Sequence, residues 1–112
     1  CYNTSAGNRI KGHTTWMYTY LQMIKEIKEL DFDVALVSCG GYGLPICNYI
    51  KERMSKSAIY VGGGLQLLFG VIGNRWLSDD NWRRRIMESP SEFIRPIEKQ
   101  QNSERVENSC YY

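Results

Sequence analysis

Two short glycine runs carry the residues of this sequence that are best suited to chemistry. They are Gly40–Gly43, with Tyr42 in third place, and Gly62–Gly64. Each follows an apolar run typical of a buried strand, Val34–Val37 and Ala58–Val61. Glycine lets a ligand approach the backbone closely, and the N–H groups at the start of a helix attract anions. The two runs therefore predict a site for a phosphate or a nucleotide diphosphate.

A second interpretation of the glycine runs remains open, in which they only permit tight turns and close packing of helix on strand. Standard cofactor sites are disfavoured. The segment Gly41-Tyr42-Gly43 lacks the third glycine of the dinucleotide fingerprint, and no acidic residue ends the second strand to hold a ribose. The P-loop pattern is also missing, because no Gly-Lys-Ser/Thr follows either run.

Other polar residues give weaker signals. Arg75 is a candidate for a bidentate contact with phosphate, with a surface arginine stacked on Trp76 as the alternative. His13 is the only histidine, and beside a helix start such a residue is more often a cap or a surface group than a catalyst. Asp79-Asp80 could bind a metal, although we expect a helix cap. We therefore assign no catalytic residue and predict no metal ligand.

The elements that position the glycine runs form one βαβ unit from Asp33 to Val61, the length expected of a right-handed crossover. The continuous apolar run Val34–Val37 predicts a central parallel strand covered on both faces. A helix starts near Leu44, with Pro45 in its first turn. Since the carboxyl ends of parallel strands meet at one edge, both glycine runs are expected there.

Helices are predicted both before and after this unit in the sequence. Thr14 or Thr15 is predicted to cap a first helix, whose apolar face runs from Trp16 to Leu30. Three further elements are predicted: a short buried helix, a third helix ended by a proline, and a short strand, over residues 65–69, 79–90 and 93–95.

The composition is typical of one globular domain. The chain has 112 residues, 43% of them hydrophobic and 23% charged. We predict a loop over residues 1–12, a core over 13–96 and a C-terminal tail over 97–112. A net charge of +2 argues against nucleic acid or an anionic membrane as a partner.

The expected location is cytoplasmic. No apolar run is long enough to span a bilayer, no secretory signal is recognised, and the four cysteines form no CxxC pair. A sheet of two or three strands is marginal alone. We therefore expect an upstream region of the same protein, or a homo-oligomer, to complete it.

The glycine runs and their surroundings resemble a family associated with polysaccharide biosynthesis. The segments that carry the resemblance are HTTW, DFDVALVSCGGYGLP, KSAIYVGGGLQLLFGVIGNRW and EFIRP…VENSCYY. They cover nearly the whole chain from His13 on, and the family is usually longer at its N-terminus. The family is more distantly similar to glycosyltransferases of the GT-D type, which have a Rossmann-like sheet and use a nucleotide-sugar donor.

The resemblance implies a three-layer, Rossmann-like α/β domain with a small parallel sheet. It also implies a donor cleft lined by Gly41, Tyr42, Gly43, Gly63, Gly64 and Gln66 and closed by Arg75 and Trp76. With Gly40 and Gly62, these residues make up the predicted nucleotide-binding set.

One departure from the GT-D pattern bears on catalysis. The Asp-x-Glu pair of a metal-dependent enzyme is missing after Val61, where Gly-Gly-Gly-Leu-Gln stands. The resemblance therefore implies either acidic residues outside this chain, which would also hold any divalent metal, or a site that binds without catalysis. Smaller departures are Asn74 for a lysine, Leu77 for an aspartate and Tyr112 for a tryptophan.

The function predicted from the sequence is that of a glycosyltransferase-like domain of glycan synthesis that binds a nucleotide-sugar or another phosphorylated small molecule. The alternative is a non-catalytic nucleotide-binding or assembly module. A nucleotide-sugar-modifying oxidoreductase is a third, weaker hypothesis.

Overall fold

The structure, a computed structural model, describes residues 12–97, 102–105 and 109–110. Among these, the residues through Leu65 form one compact unit and those from Gln66 onward form a second. Almost all of the predicted loop over residues 1–12, and most of the predicted tail over 97–112, lies outside the described residues. The division into one domain over residues 1–112 stays a prediction.

The first unit begins with helix α1, Trp16–Lys28. Thr15 is its N-cap, and the Thr15 hydroxyl accepts a hydrogen bond from the backbone N–H of Tyr18 at 3.1 Å. Of the two predicted caps, Thr15 is thus confirmed. Lys25 and Lys28 lie in the last turn, where positive charge is favourable to the helix dipole.

The predicted βαβ unit is present. Strand β1 is Val34–Val37, helix α2 is Gly43–Met54 and strand β2 is Ser57–Tyr60. The two strands are parallel, in a register that pairs the first residues of both and ends with Val37 beside Tyr60. Helix α2 starts one residue before the predicted Leu44, and β2 is shifted by one residue toward the N-terminus.

One face of this two-stranded sheet shares a core with α1 and α2. Ile50 of α2 is only 1% exposed, and the helical spacing of the apolar residues explains why one stripe of each helix is buried. The buried members of this core are Met23, Ile24, Val37, Tyr42, Ile46 and Ile50.

The prediction that β1 is covered on both faces is wrong within this unit. Leu36 and Ile59 are paired across the sheet, and they are 46% and 53% exposed. Their neighbours Ala35 and Ala58 point the other way and pack against the core. The reason is that α1 and α2 share a core with one face of the sheet, which leaves the opposite face without a covering layer in the described part of this unit.

The chain is therefore helix-rich with a small two-stranded parallel sheet, which agrees with the predicted α/β class. The three-layer, Rossmann-like arrangement stays a prediction. No helix in the described part of the chain is both long enough and apolar enough to cross a membrane.

Three short helices follow: α3, Leu65–Leu68, α4, Asn74–Leu77, and α5, Asp80–Glu88. The third predicted helix is confirmed as α5. Its N-cap Asp79 accepts hydrogen bonds from the backbone N–H groups of Asn81 and Trp82. The strand predicted over residues 93–95 is reduced to a single parallel bridge, in which Ile94 pairs with Val71.

The helix predicted over residues 65–69 forms, but it is not buried as predicted. Leu68 and Phe69 are 66% and 71% exposed. Side chains of a single helical turn point in all directions, so a helix of four residues can bury all of them only when it is surrounded. The turn ends at Gly70, which has a positive φ of 68° and lies against the backbone carbonyl of Glu92 with no room for a Cβ.

Candidate functional site

The two glycine runs form similar turns at the same end of the two strands. Residues Gly40–Tyr42 make a 3-10 turn after β1, and residues Gly62–Gly64 make another after β2. The backbone N–H of Val61 donates to the carbonyl of Val37 at 2.9 Å, so the strand pairing continues to the start of the second turn. We call these the first and second glycine turns.

The first glycine run, Gly40–Gly43, uses its three glycines for different reasons. Gly40 has a positive φ of 50°, which favours glycine. Gly41 has no such φ, and a Cβ built on it would find no atom within 4 Å. Neither the backbone nor the packing therefore requires glycine at position 41. A ligand that approaches the backbone there would require it, because a side chain would block the approach.

Gly43 is required by packing. It is the first residue of α2, with an ordinary helical φ of −60°. A Cβ on Gly43 would overlap the aromatic ring of Tyr60, the last residue of β2. The missing side chain therefore makes the room into which the Tyr60 ring fits.

Tyr60 contacts the first glycine turn and lies close to the second. Its hydroxyl donates to the carbonyl of Gly40 at 3.4 Å, and it lies 4.0 Å from the position that a Cβ on Gly62 would take. The side chain is still 43% exposed. Sequence reasoning missed Tyr60, and the signal that could have found it is an aromatic residue two positions before the second glycine run.

Tyr42 holds the first glycine turn against α1. Its ring is buried and stacks on Trp16, with ring centroids 4.9 Å apart and planes 7° from parallel. Trp16 stacks in turn on Tyr20, whose hydroxyl donates to the carbonyl of Pro45 at 3.3 Å. These aromatic contacts give the turn a fixed position, and they confirm that the Trp16 and Tyr20 side chains take part in packing.

His13 belongs to the start of α1. Its Nδ1 atom lies 3.1 Å from the hydroxyl of Thr19, and its ring packs edge-on against Tyr18. Thr19 is 1% exposed and also donates to the carbonyl of Thr15. This arrangement supports the structural interpretation of His13 over the catalytic one.

The other three predicted site residues belong to the second unit. The carbonyl of Gln66 accepts hydrogen bonds from the backbone N–H groups of Phe69 and Val71. The ring of Trp76 packs edge-on against Trp82, with centroids 5.8 Å apart. The role of these residues and of Arg75 in closing a donor cleft stays a prediction.

Asn74 links two of the segments that carry the family resemblance. Its amide nitrogen donates to the carbonyl of Ser109 at 3.3 Å, and its amide oxygen accepts from the guanidinium of Arg95 at 2.8 Å. The next residue, Arg75, donates its backbone N–H to the carbonyl of Cys110 at 2.9 Å. The GNRW segment and the Ser109-Cys110 segment are thus bound to each other, a role for Asn74 that sequence reasoning did not identify. Tyr112 lies outside the described residues.

The first unit holds two free thiols near the first glycine turn, Cys39 and Cys47. Burial raises the pKa of the Cys47 thiol, and the Cys39 thiol raises it further. Cys47 is therefore kept protonated and is a poor nucleophile at neutral pH. Within the described ranges, no group of three or more His, Cys, Asp or Glu residues could hold a metal ion.

Comparison with known proteins identifies the family of this site. The GT-D-like family model, described as a GT-D fold-like domain, matches residues 9–68. No curated protein and no solved structure matches the chain. The matched residues include α1, both strands, α2, both glycine turns and α3, and they make up more than half of the chain. The protein therefore belongs to the GT-D-like family and carries a GT-D fold-like domain.

Proposed function

We propose that this protein is a glycosyltransferase-like domain of glycan synthesis that binds the diphosphate of a nucleotide-sugar at the two glycine turns. The observation that carries the proposal is the open position at Gly41. Glycine is needed there neither for the backbone nor for packing, and the position lies at the carboxyl end of a parallel strand in a GT-D-like domain.

The first glycine turn has the chemistry that a diphosphate requires. It leads into α2, a helix of twelve residues, and the first N–H groups of a helix have no partner within the helix. The N–H of Gly43 donates to the carbonyl of Gly40 and Pro45 has none, so Gly41 and Leu44 are the candidate backbone donors. The helix dipole favours negative charge at the same point. A diphosphate bound there would accept hydrogen bonds from the backbone and would need no lysine beside it.

The role of the site is to hold the donor. In the sequence, glycines stand after β2 where a metal-dependent GT-D enzyme is expected to have its acidic pair. We therefore assign to this site the binding and positioning of the donor, which contribute to catalysis by orienting the reacting groups. A catalytic acid or a divalent metal would have to be supplied by residues that this sequence does not contain.

A matched pair of variants at Gly41 tests the proposal. Gly41→Ala and Gly41→Leu add side chains that point into open space, so the unfolding temperature without ligand should stay within a few degrees of wild type. Isothermal titration with UDP, GDP, ADP, dTDP and their sugar conjugates should show binding by the wild type. Affinity should fall progressively from wild type to alanine to leucine, because the added atoms occupy the space of the ligand.

Two results would contradict the proposal. One is a wild-type protein that none of these nucleotides binds or stabilises. The other is a Gly41→Leu variant that folds normally and binds the same nucleotide with unchanged affinity, because the ligand would then lie elsewhere.

A second candidate is a non-catalytic assembly module in which a second copy of the chain covers the open face of the sheet. The observation that favours it is the apolar character of that face, where Val34, Leu36 and Ile59 are about half exposed. Light scattering distinguishes the two candidates. A stable dimer that no nucleotide binds would support assembly, and a nucleotide-binding monomer would support donor binding.

A further inference from the structure

We propose that the hydroxyl of Tyr60 is a ligand-binding group that donates a hydrogen bond to a phosphate oxygen of the bound nucleotide. This assignment rests on the proposed function and deepens it, because it adds a side-chain donor to a site so far built from backbone groups. The assignment follows from the position of Tyr60 in the fold. It ends β2, two residues before the second glycine turn, and it is paired with Val37 at the end of β1.

The first step of the argument is position. The Tyr60 hydroxyl is 3.4 Å from the carbonyl oxygen of Gly40 in the first glycine turn and 4.0 Å from the side-chain position of Gly62 in the second. The ring lies over Gly43, which has no Cβ to displace it. A ligand seated against both turns would therefore meet this hydroxyl.

The second step is accessibility. Tyr60 is 43% exposed, although its strand partner Val37 is only 5% exposed. A tyrosine that served only to fill the space beside Gly43 would be expected to bury more of its ring, since the aromatic area contributes the packing energy. Part of Tyr60 is therefore accessible to a ligand.

The third step is the strength of the present hydrogen bond. Donor and acceptor oxygens of a good O–H···O bond lie about 2.7–2.8 Å apart, so the contact of 3.4 Å with Gly40 is weak. A phosphate oxygen is a charged acceptor, which gives a shorter and stronger bond. The Tyr60 hydroxyl would therefore form a stronger hydrogen bond with a phosphate oxygen than with the carbonyl of Gly40.

The exchange leaves no group unsatisfied. The carbonyl of Gly40 also accepts the backbone N–H of Gly43, and it keeps that bond when the hydroxyl turns away. Rotation of the phenol O–H changes the direction of its hydrogen without moving the ring. The site can thus bind an anion at Tyr60 without a rearrangement of the first glycine turn.

The test is Tyr60→Phe in the full chain. Phenylalanine keeps the ring beside Gly43, so the unfolding temperature without ligand should stay within a few degrees of wild type. Isothermal titration uses the nucleoside diphosphate that the wild type binds best among UDP, GDP, ADP and dTDP. We expect the variant to bind it about tenfold more weakly, as for the loss of a hydrogen bond to a charged group. The affinity for the matching nucleoside without phosphate should be unchanged.

Tyr18→Phe is the matched control. It removes the hydroxyl of a tyrosine that is also 43% exposed and whose ring packs against His13 at the start of α1. Its affinity for the nucleoside diphosphate should equal that of the wild type. A similar loss in both variants would overturn the assignment of Tyr60, because the effect would not be specific to the turns.

The remaining outcomes separate this inference from the proposed function. If the wild type binds a nucleoside diphosphate and Tyr60→Phe binds it equally well, the role of Tyr60 is refuted and donor binding stands. If Tyr60→Phe loses affinity equally for the diphosphate and for the nucleoside, the contact with phosphate is refuted. If the wild type binds none of these compounds, both proposals fail.

Discussion

The three glycines of the first glycine run, Gly40–Gly43, have separate reasons for being glycine. Gly40 has a left-handed backbone, Gly43 leaves room for the ring of Tyr60, and Gly41 has neither constraint. A sequence alone shows three equivalent glycines. The structure distinguishes them, because the reasons depend on φ and on a side chain from another strand. Within Gly40–Gly43, Gly41 is thus the one glycine that the fold does not explain.

The contact of Gly43 with Tyr60 predicts a reversal of sign in a double-mutant cycle. Gly43→Ala should destabilise the wild type by about 1–3 kcal/mol, because its methyl group must displace the tyrosine ring. In a Tyr60→Ala background the same change should be neutral or stabilising, since Gly43 has a helical φ and alanine is the better helix former. Urea unfolding of the four proteins measures the coupling. Additive effects would contradict the described contact.

The sequence predicted the local parts of this site and missed the parts that depend on pairing. Val34–Val37 was recognised as a strand from its apolar run, and the following glycines marked the turn before α2. Tyr60 was missed because its closeness to Gly40 and Gly43 depends on the register of β2 against β1. Asn74 was missed because its hydrogen-bond partners, Arg95 and Ser109, are distant in sequence.

At the level of elements, the sheet shows why burial is harder to predict than secondary structure. The apolar run of β1 is typical of a strand with layers on both sides, yet α1 and α2 share a core with one face only. A run of four residues specifies the strand, whereas the number of layers depends on the rest of the fold. The exposed pair Leu36 and Ile59 follows from this difference.

The start of α1 offers a prediction with a neighbouring control. Thr15→Ala removes the hydroxyl that accepts from the Tyr18 N–H and should lower the free energy of unfolding by about 1 kcal/mol. Thr14→Ala changes the same residue type one position earlier, outside the cap, and should cost less than half as much. Chemical denaturation of both variants measures the difference. An equal loss in the two variants would show that the hydroxyl of Thr15 is not the cap.

At the level of the whole molecule, the family match and the division into units nearly coincide. The GT-D-like match ends at residue 68, and the first unit ends at Leu65. The GT-D fold-like domain thus corresponds mainly to the first unit, which contains both glycine turns. The second unit has hydrogen bonds of its own, in which Asn74 and Arg75 donate to the carbonyls of Ser109 and Cys110. Donor binding can therefore be tested at the glycine turns of the first unit.

Two partly buried groups, the Cys47 thiol and the Tyr20 phenol, predict how stability depends on pH. Burial raises the pKa of Cys47, with a further contribution from Cys39, and burial raises the pKa of Tyr20, with a further contribution from Tyr49. The folded state therefore favours the neutral thiol and the neutral phenol. This stabilisation is complete below the pKa values of the unfolded chain, about 8.5 for a thiol and about 10 for a phenol. It is lost as the pH rises from there through the raised values of the folded state.

We therefore expect the unfolding temperature, followed by circular dichroism, to fall as the pH rises above about 8.5 and to fall further above about 10. Cys47→Ser should flatten the first part of this decline, and Tyr20→Phe should flatten the later part, because each variant removes one titrating group while keeping a side chain of similar size. Each variant is compared with its own unfolding temperature at pH 7, which removes the direct cost of the substitution. A decline of unchanged slope in the double variant would show that neither group causes the loss of stability in alkali.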